Sequence, residues 1–266
     1  MRQIIRRIPL ACLSVFLVCA AAAVPAEAQY FGRNKVQYKD FKFEVLKTDH
    51  FDIYFYEDER ESAARAGRMA ERWYARLSSI FEHELHTRQP LVLYASHPDF
   101  EQTNVVGGMI GEGTGGVTEG MKRRVVLPLA GTLAETDHVL GHELVHAFQY
   151  DISADRARAG GGGAGGGIES LPLWFVEGLA EYLSIGPVDP HTAMWLRDAT
   201  RKEELPQIKD LSNGEYFPYR WGQAVWAYIG GKYGDDRIGQ LFRAAVRSGD
   251  SIAALEETAL IDDKEL

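Results

Sequence analysis

Cysteine is nearly absent from this sequence of 266 residues, and both cysteines, Cys12 and Cys19, lie within its first 28 residues. The remainder of the chain therefore has no thiols that could form an intramolecular disulfide. Basic residues are in the minority, with 29 Lys and Arg against 38 Asp and Glu and a net charge of −9. Nucleic acids and anionic membranes bind to basic faces, so this balance argues against either as a partner.

A long hydrophobic run occurs only near the N-terminus, where a basic segment at 2–7 precedes the apolar segment Ile8–Val24. The small-residue pattern Ala26–Ala28 follows. This order is typical of a secretory signal peptide and predicts cleavage of residues 1–28. The run is shorter than the roughly 20 residues of a membrane span. We expect a secreted or periplasmic mature chain without stable membrane insertion; a retained N-terminal anchor is the alternative.

The patterns along the remaining chain predict strands first and helices later. The mixture of aromatic and β-branched residues over Phe41–Tyr56 predicts a hairpin or a bent strand pair. Leu91–Ala95 and Lys122–Leu129 are also predicted as strands, and Pro128 suggests that the latter is an edge strand. A 3.6-residue rhythm predicts helices over 58–85, 133–150, 173–184, 221–233, 236–247 and 251–260. This order predicts an α+β fold and not a parallel α/β sheet.

Two segments are rich in glycine. Residues 160–167 read GGGGAGGG, which predicts a flexible loop that cannot pack a core. Gly111–Gly116 contains the pattern G-x-G-x-x-G, but a strand follows it where a dinucleotide site requires a helix. A nucleotide site is therefore excluded, and the segment is either a mobile lip above a substrate groove or an ordinary loop. The strand that follows either pairs with an extended peptide or is a plain sheet edge.

The helix predicted over 133–150 contains His142-Glu143-Leu144-Val145-His146, which reads H-E-x-x-H. Residues four apart share a helix face with about 6 Å between them, so both imidazoles can bind one metal ion. Zinc, with bonds of about 2.0–2.1 Å to nitrogen, suits such a pair. Glu143 lies about 100° further round the axis. From there it can act as general base on a metal-bound water without being a ligand.

A third ligand must come from another segment, and the helix predicted over 173–184 offers Glu177 and Glu181. Aromatic and apolar residues surround both carboxylates. A half-buried carboxylate needs a cation or a hydrogen-bond donor. We expect zinc to stabilise Glu177, and the free ring N–H of a ligating histidine to suit Glu181.

Other histidines fit a metal site less well. Positions 138, 142 and 146 span about 12 Å of helix, too far for three nitrogens around one ion. We therefore predict a structural role for His138. His83 and His86 are three residues apart and have no partner motif, which favours a plain pair of histidines at a helix end.

HELVH followed by WFVEGLAEY resembles the gluzincin zinc metallopeptidases. The segment Thr48–Phe51 and the helix before HExxH make the chain most similar to the bacterial peptidase MA-like domains. The resemblance covers roughly Phe41 to Tyr233. It implies one domain over 29–266 with a zincin-like fold: a small twisted N-terminal sheet packed on the HExxH helix, and a mostly helical C-terminal half.

The resemblance implies hydrolysis of peptide bonds, with a peptide or protein as substrate. His142, His146 and Glu177 correspond to the Zn²⁺ ligands, Glu143 to the general base and Glu181 to a carboxylate that supports a ligand. Peptide hydrolysis also places negative charge on an oxygen, so a further donor is expected. Tyr216 and Tyr219 are the candidates, with Tyr219 preferred; Arg220 is a weaker candidate for binding a carboxylate.

Another function remains open at this point: a non-catalytic zincin-like scaffold or binding module of a larger cell-envelope protein. In the family that the chain resembles, a β-propeller often follows such a domain. The charged end of this sequence at Leu266 is typical of a piece of a longer chain. A C-terminal β-propeller in a longer form is therefore an expected partner.

Overall fold

The computed structural model describes residues 37–56, 59–129, 131–158 and 167–259. The predicted signal peptide and residues 160–166 of the predicted glycine-rich loop lie outside these ranges. All described residues belong to one unit, Val36–Leu266. Among them, none of the helices has the length and apolar character needed to cross a membrane.

Five strands form one mixed sheet. They are β1 (Glu44–Lys47), β2 (Phe51–Phe55), β3 (Gln89–Tyr94), β4 (Val117–Glu119) and β5 (Arg124–Pro128), in the order β1-β2-β3-β5-β4. The outer pairs β1–β2 and β4–β5 are antiparallel, whereas β2–β3 and β3–β5 are parallel. The predicted hairpin over Phe41–Tyr56 is therefore confirmed as β1 and β2.

Eight α-helices lie among the described residues: α1 (Arg60–Phe81), α2 (His97–Phe100), α3 (Leu133–Arg158), α4 (Leu173–Ile185), α5 (Pro190–Lys202), α6 (Pro218–Tyr233), α7 (Asp236–Ser248) and α8 (Ser251–Ala259). Two 3₁₀ turns, Ile168–Ser170 and Ile208–Ser212, lie between them. Helices and one small sheet in largely separate parts of the chain confirm the predicted α+β class.

The core lies where α1 and α3 cover the sheet. The buried residues of α1 include Ala63, Ala70 and Leu77, which are spaced to share one face. Phe51 and Ile53 of β2 point into the same core at 0% exposure. α4 packs between α3 and α6 and is buried along most of its length. The HExxH helix is therefore held between the sheet and a helical layer.

The predicted edge strand was wrong. β5 lies inside the sheet, between β3 and β4, and the edge on that side is β4, which directly follows Gly111–Gly116. Pro128 is tolerated because β4 pairs only with Arg124–Val126, so the proline nitrogen lies beyond that ladder.

Helix positions also differ from the sequence prediction: α1 ends at Phe81 and not at 85, and the short α2 was not predicted. α3 continues to Arg158, well beyond the predicted end at 150. α5 was not predicted, although its start carries ordinary signals: Asp189 accepts a hydrogen bond from the Thr192 amide at 2.7 Å, and Pro190 occupies the first turn.

Candidate functional site

His142 and His146 lie one turn apart in α3 and direct the same atom, Nε2, towards one carboxylate oxygen of Glu177 in α4. The two Nε2 atoms are 3.2 Å apart, and each is 3.2 Å from Glu177 Oε2. Both histidines are buried. The three atoms that the sequence predicted as zinc ligands thus form an equilateral triangle.

This triangle suits a metal ion better than it suits hydrogen bonds. Each Nε2 carries at most one proton, and if both protons point at Glu177, no acceptor remains for the contact between the two rings. A tetrahedral zinc ion with bonds of about 2.0–2.1 Å keeps its ligands roughly 3.3 Å apart. The chemistry and spacing of these donors therefore fit zinc.

The charges of the three groups depend on one another. Burial lowers the pKa of His146, but the hydrogen bond and the negative charge of Glu177 outweigh burial and raise it to about 9. Burial also acts against ionisation of Glu177, yet the two imidazoles hold the pKa of that carboxyl well below its usual range. The Glu177 carboxylate, which is 18% exposed, is therefore ionised and favours a positive charge on or between the rings.

A glutamine that the sequence analysis missed orients His146. The Nδ1 atom of His146 lies 2.8 Å from Gln149 Oε1, and Gln149 Nε2 donates to the Val176 carbonyl at 3.0 Å. With Nδ1–H donating to Gln149, Nε2 faces the triangle. Gln149 is wholly buried in α3. In the sequence, this role of Gln149 is indicated only by its position three residues after His146 on a helix.

Glu143 lies beside the triangle, and its carboxylate is held by β4. Thr118 Oγ1 is 2.6 Å from Glu143 Oε2 and 2.9 Å from the Glu143 carbonyl oxygen, so the hydroxyl can donate to either. Gly116 makes this approach possible, because a Cβ there would lie 2.9 Å from Glu143 Cγ. The glycine-rich segment therefore contacts the candidate general base directly.

Tyr219, in the first turn of α6, reaches the same site. Its ring stacks on that of His142, with centroids 5.8 Å apart and an interplanar angle of 16°. Burial raises the pKa of Tyr219, and the charge of Glu177 and a hydrogen bond to it raise the pKa further. The phenol is therefore a protonated donor at neutral pH.

Tyr216, the other candidate donor, and Arg220, the candidate for binding a carboxylate, have partners elsewhere. Tyr216 packs edge-on against Trp221, with ring centroids 5.8 Å apart. Arg220 forms an ion pair with Asp189 at 3.1 Å.

Glu181 lies one turn after Glu177 but near a different histidine from the one expected. Its Oε2 atom has no hydrogen-bond partner among the described residues and lies 3.8 Å from His138 Nε2. Burial raises the pKa of Glu181, and burial lowers that of His138 to about 4. The interaction of Glu181 with a ligating ring remains a prediction.

The α4–α6 contact brings Glu177 and Tyr219 together. Gly178 and Gly222 lie backbone to backbone, and a Cβ on either would collide with the main chain of the other helix. A side chain at this crossing would separate the helices. The approach of Tyr219 to Glu177 therefore depends on two glycines.

A cavity of about 450 Å³ opens onto the triangle, Glu143 and Tyr219. Its lining comes from the glycine-rich segment with β4, and from the start of α4 and the turn before it. Much of its lining is apolar or aromatic: Val106, Val117, Tyr150, Ile168, Leu171, Leu173 and Val176. The predicted site residues other than Glu181 thus line one cavity.

The histidine pair after α1 has partners that the sequence did not reveal. His83 and His86 lie against Asp151 and Asp155 of α3, and the four residues can bring one ligating atom each within 4.8 Å of one another. The interpretation as a plain pair at a helix end was therefore incomplete, because α3 extends past the predicted end and supplies both carboxylates.

Comparison with curated proteins finds no match for the chain. Residues 111–266 match the family of unknown function DUF6055. This range contains His142, Glu143, His146, Glu177 and Tyr219, and it covers more than half of the sequence. The chain therefore belongs to the DUF6055 family.

Proposed function

We propose that the protein is a zinc-dependent metallopeptidase of the gluzincin type, with a zincin-like fold, that cleaves peptides or proteins. The observation that carries this proposal is the triangle of His142 Nε2, His146 Nε2 and Glu177 Oε2, with edges of 3.2 Å, next to a carboxylate that is not part of it. Three protein ligands leave a fourth position of a tetrahedral ion for water or substrate, which distinguishes catalytic zinc sites from structural ones.

His142, His146 and Glu177 would hold the metal ion, and Gln149 would keep the His146 ring in the tautomer that leaves Nε2 free. When bound, zinc supplies Lewis acidity, which makes water more acidic and polarises a carbonyl group. The ligand set contains one carboxylate and two neutral imidazoles, so one positive charge remains for this task.

Glu143 would take the proton from the attacking water and return it to the leaving amine. The Thr118 hydroxyl, 2.6 Å from Glu143 Oε2, holds the carboxylate in place. A base must lie within hydrogen-bond reach of the proton that it accepts, and Glu143 lies on the same helix as the two histidines. Tyr219 would donate a hydrogen bond to the oxygen that becomes negative during the attack.

The cavity supports an extended peptide as the substrate. β4 forms one wall and is the edge of the sheet, so its free side can pair with a peptide backbone. Apolar residues from α4 and its preceding turn, such as Leu171 and Val176, also line the cavity. This combination favours a substrate bound by its main chain, with an apolar side chain next to the cleaved bond.

The other predictions from the sequence complete the proposal. The protein would be exported with residues 1–28 as signal peptide, and would act in the periplasm or outside the cell. Glu181 would accept the free ring N–H of a ligating histidine. A β-propeller would follow the domain in a longer form.

The test is cleavage of a quenched fluorescent peptide library by the purified chain. We expect turnover that a chelator abolishes and that stoichiometric Zn²⁺ restores. A second function, a zincin-like scaffold that binds metal without hydrolysis, predicts metal binding with no cleavage of any library. Absence of both bound metal and cleavage after incubation with Zn²⁺ would contradict the proposal entirely.

A further inference from the structure

We propose a second metal site, structural and distinct from the first, formed by His83, His86, Asp151 and Asp155. The two histidines follow α1, and the two aspartates lie one turn apart in the last third of α3. The ligand chemistry, two imidazoles and two carboxylates, fits a divalent transition metal, and Zn²⁺ best among the common ones.

Asp151 is the centre of this cluster. Its side chain is wholly buried, and its Oδ2 atom lies 2.8 Å from His83 Nε2 and 2.6 Å from His86 Nδ1. Its other oxygen forms an ion pair with Arg123. Arg123 thus orients the carboxylate and leaves Oδ2 to the two rings.

Asp155 closes the cluster from the next turn of α3. It lies 3.2 Å from His86 Nε2 and 3.9 Å from the second ring nitrogen of His83. Each ring therefore has a carboxylate near both nitrogens.

The spacing of the cluster is close to that of a bound ion. One ligating atom from each residue lies within 4.8 Å of the others, whereas tetrahedral zinc keeps its ligands roughly 3.3 Å apart. Small rotations of exposed side chains would close this gap. His86 is 44% exposed and Asp155 is 38% exposed, so both can move and an ion can reach the site from solvent.

Backbone strain also concentrates at this cluster. Three non-glycine residues in the described chain have positive φ, and two of them adjoin the cluster: Glu82, directly before His83, and Arg123. Such conformations cost energy and persist where the surrounding structure imposes them. The turn at Glu82 precedes His83, and the turn at Arg123 contains the arginine itself; both His83 and Arg123 contact Asp151.

Four protein ligands leave no position for water or substrate, which is the pattern of structural zinc sites. The ion would join the segment after α1 to the end of α3, two parts of the chain that are more than 60 residues apart in sequence. Binding to the folded state alone raises the stability of that state. The function of this second site is therefore to stabilise the fold, and its existence does not depend on peptidase activity.

The experiment measures the number of zinc ions per chain by elemental mass spectrometry. Untagged protein is loaded with Zn²⁺ and then dialysed. We expect about two ions in the wild type, about one in His142→Ala/His146→Ala, and about one in His83→Ala/His86→Ala. His97→Ala, a histidine outside both clusters, is the control and should keep two. No zinc in His142→Ala/His146→Ala would overturn the second site and indicate an ion-pair network only.

The same design separates the two proposals. One ion in the wild type and one in His142→Ala/His146→Ala would support the second site while contradicting the first. If His83→Ala/His86→Ala does not fold, thermal unfolding of His142→Ala/His146→Ala with and without Zn²⁺ gives the answer. We expect a rise in Tm of about 5–10 °C at a hundredfold excess over Kd, and a smaller rise after adding Asp155→Asn. An unchanged Tm would overturn the proposal.

Discussion

The two histidine–carboxylate clusters share the same helix but differ in what surrounds them. The cluster of His142, His146 and Glu177 offers three candidate ligands, a separate carboxylate at Glu143 and a cavity of about 450 Å³. The cluster of His83, His86, Asp151 and Asp155 offers four candidate ligands and has an arginine against the buried carboxylate. The first arrangement is suited to chemistry and the second to holding the fold together, although the residue types are nearly the same. Ligand identity alone does not distinguish the two functions.

The largest effect on the difference between the two clusters is expected from Glu143→Gln, which keeps the shape of the side chain and removes its basicity. We expect kcat to fall about 10²- to 10⁴-fold, because general-base catalysis contributes that much. Metal content at both clusters should not change. Glu135→Gln, in the exposed first turn of the same helix, is the matched control. Full turnover by Glu143→Gln with stoichiometric zinc would remove the functional difference between the clusters.

Tyr219→Phe sharpens the comparison by removing a single hydroxyl at the first cluster. We expect kcat to fall about 10²-fold, the lower end of the effect of one donor to a developing oxyanion. KM and zinc content should stay near the wild-type values, since the ring can still stack on His142. Tyr216→Phe serves as control. Equal activity of the two variants would show that the phenol is a packing group.

The smallest effect is expected from the glycine at the α4–α6 crossing. A methyl group in Gly222→Ala would collide with the Trp174 carbonyl, so α6 must shift, at a cost of about 1–3 kcal/mol in unfolding free energy. Gly231→Ala, in the same helix with open space around it, should instead stabilise by about 0.5–1 kcal/mol. Denaturant unfolding measures both. The second cluster should retain its metal in either variant, and a loss there would contradict the independence of the two sites.

The sequence was sufficient to predict contacts that depend on local spacing along a helix. H-E-x-x-H within an apolar helix predicted that His142 and His146 share one face, because the helix repeat of 3.6 residues determines that contact. Glu177 was assigned with the help of the resemblance to the gluzincins. The α+β class followed from the order of periodic segments.

The rest depended on contacts between distant segments, which periodicity does not encode. Thr118 holds Glu143 across 25 residues, and Asp151 meets His83 across 68. β4 directly follows glycines that suggested a loop. It forms a strand because its pairing with β5 compensates for a weak local preference for strand. Gln149 carried no motif, and only its burial beside Val176 shows what it does.

α3 has one further property that follows from counting residues. Asp151 comes nine positions after His142, which is two and a half turns at about 3.6 residues per turn, so the two side chains leave the helix in opposite directions. Contacts on one side alone leave a helix free to rotate about its long axis, whereas contacts on opposite sides and at different heights prevent that rotation. The orientation of the two imidazoles is therefore held against rotation of α3.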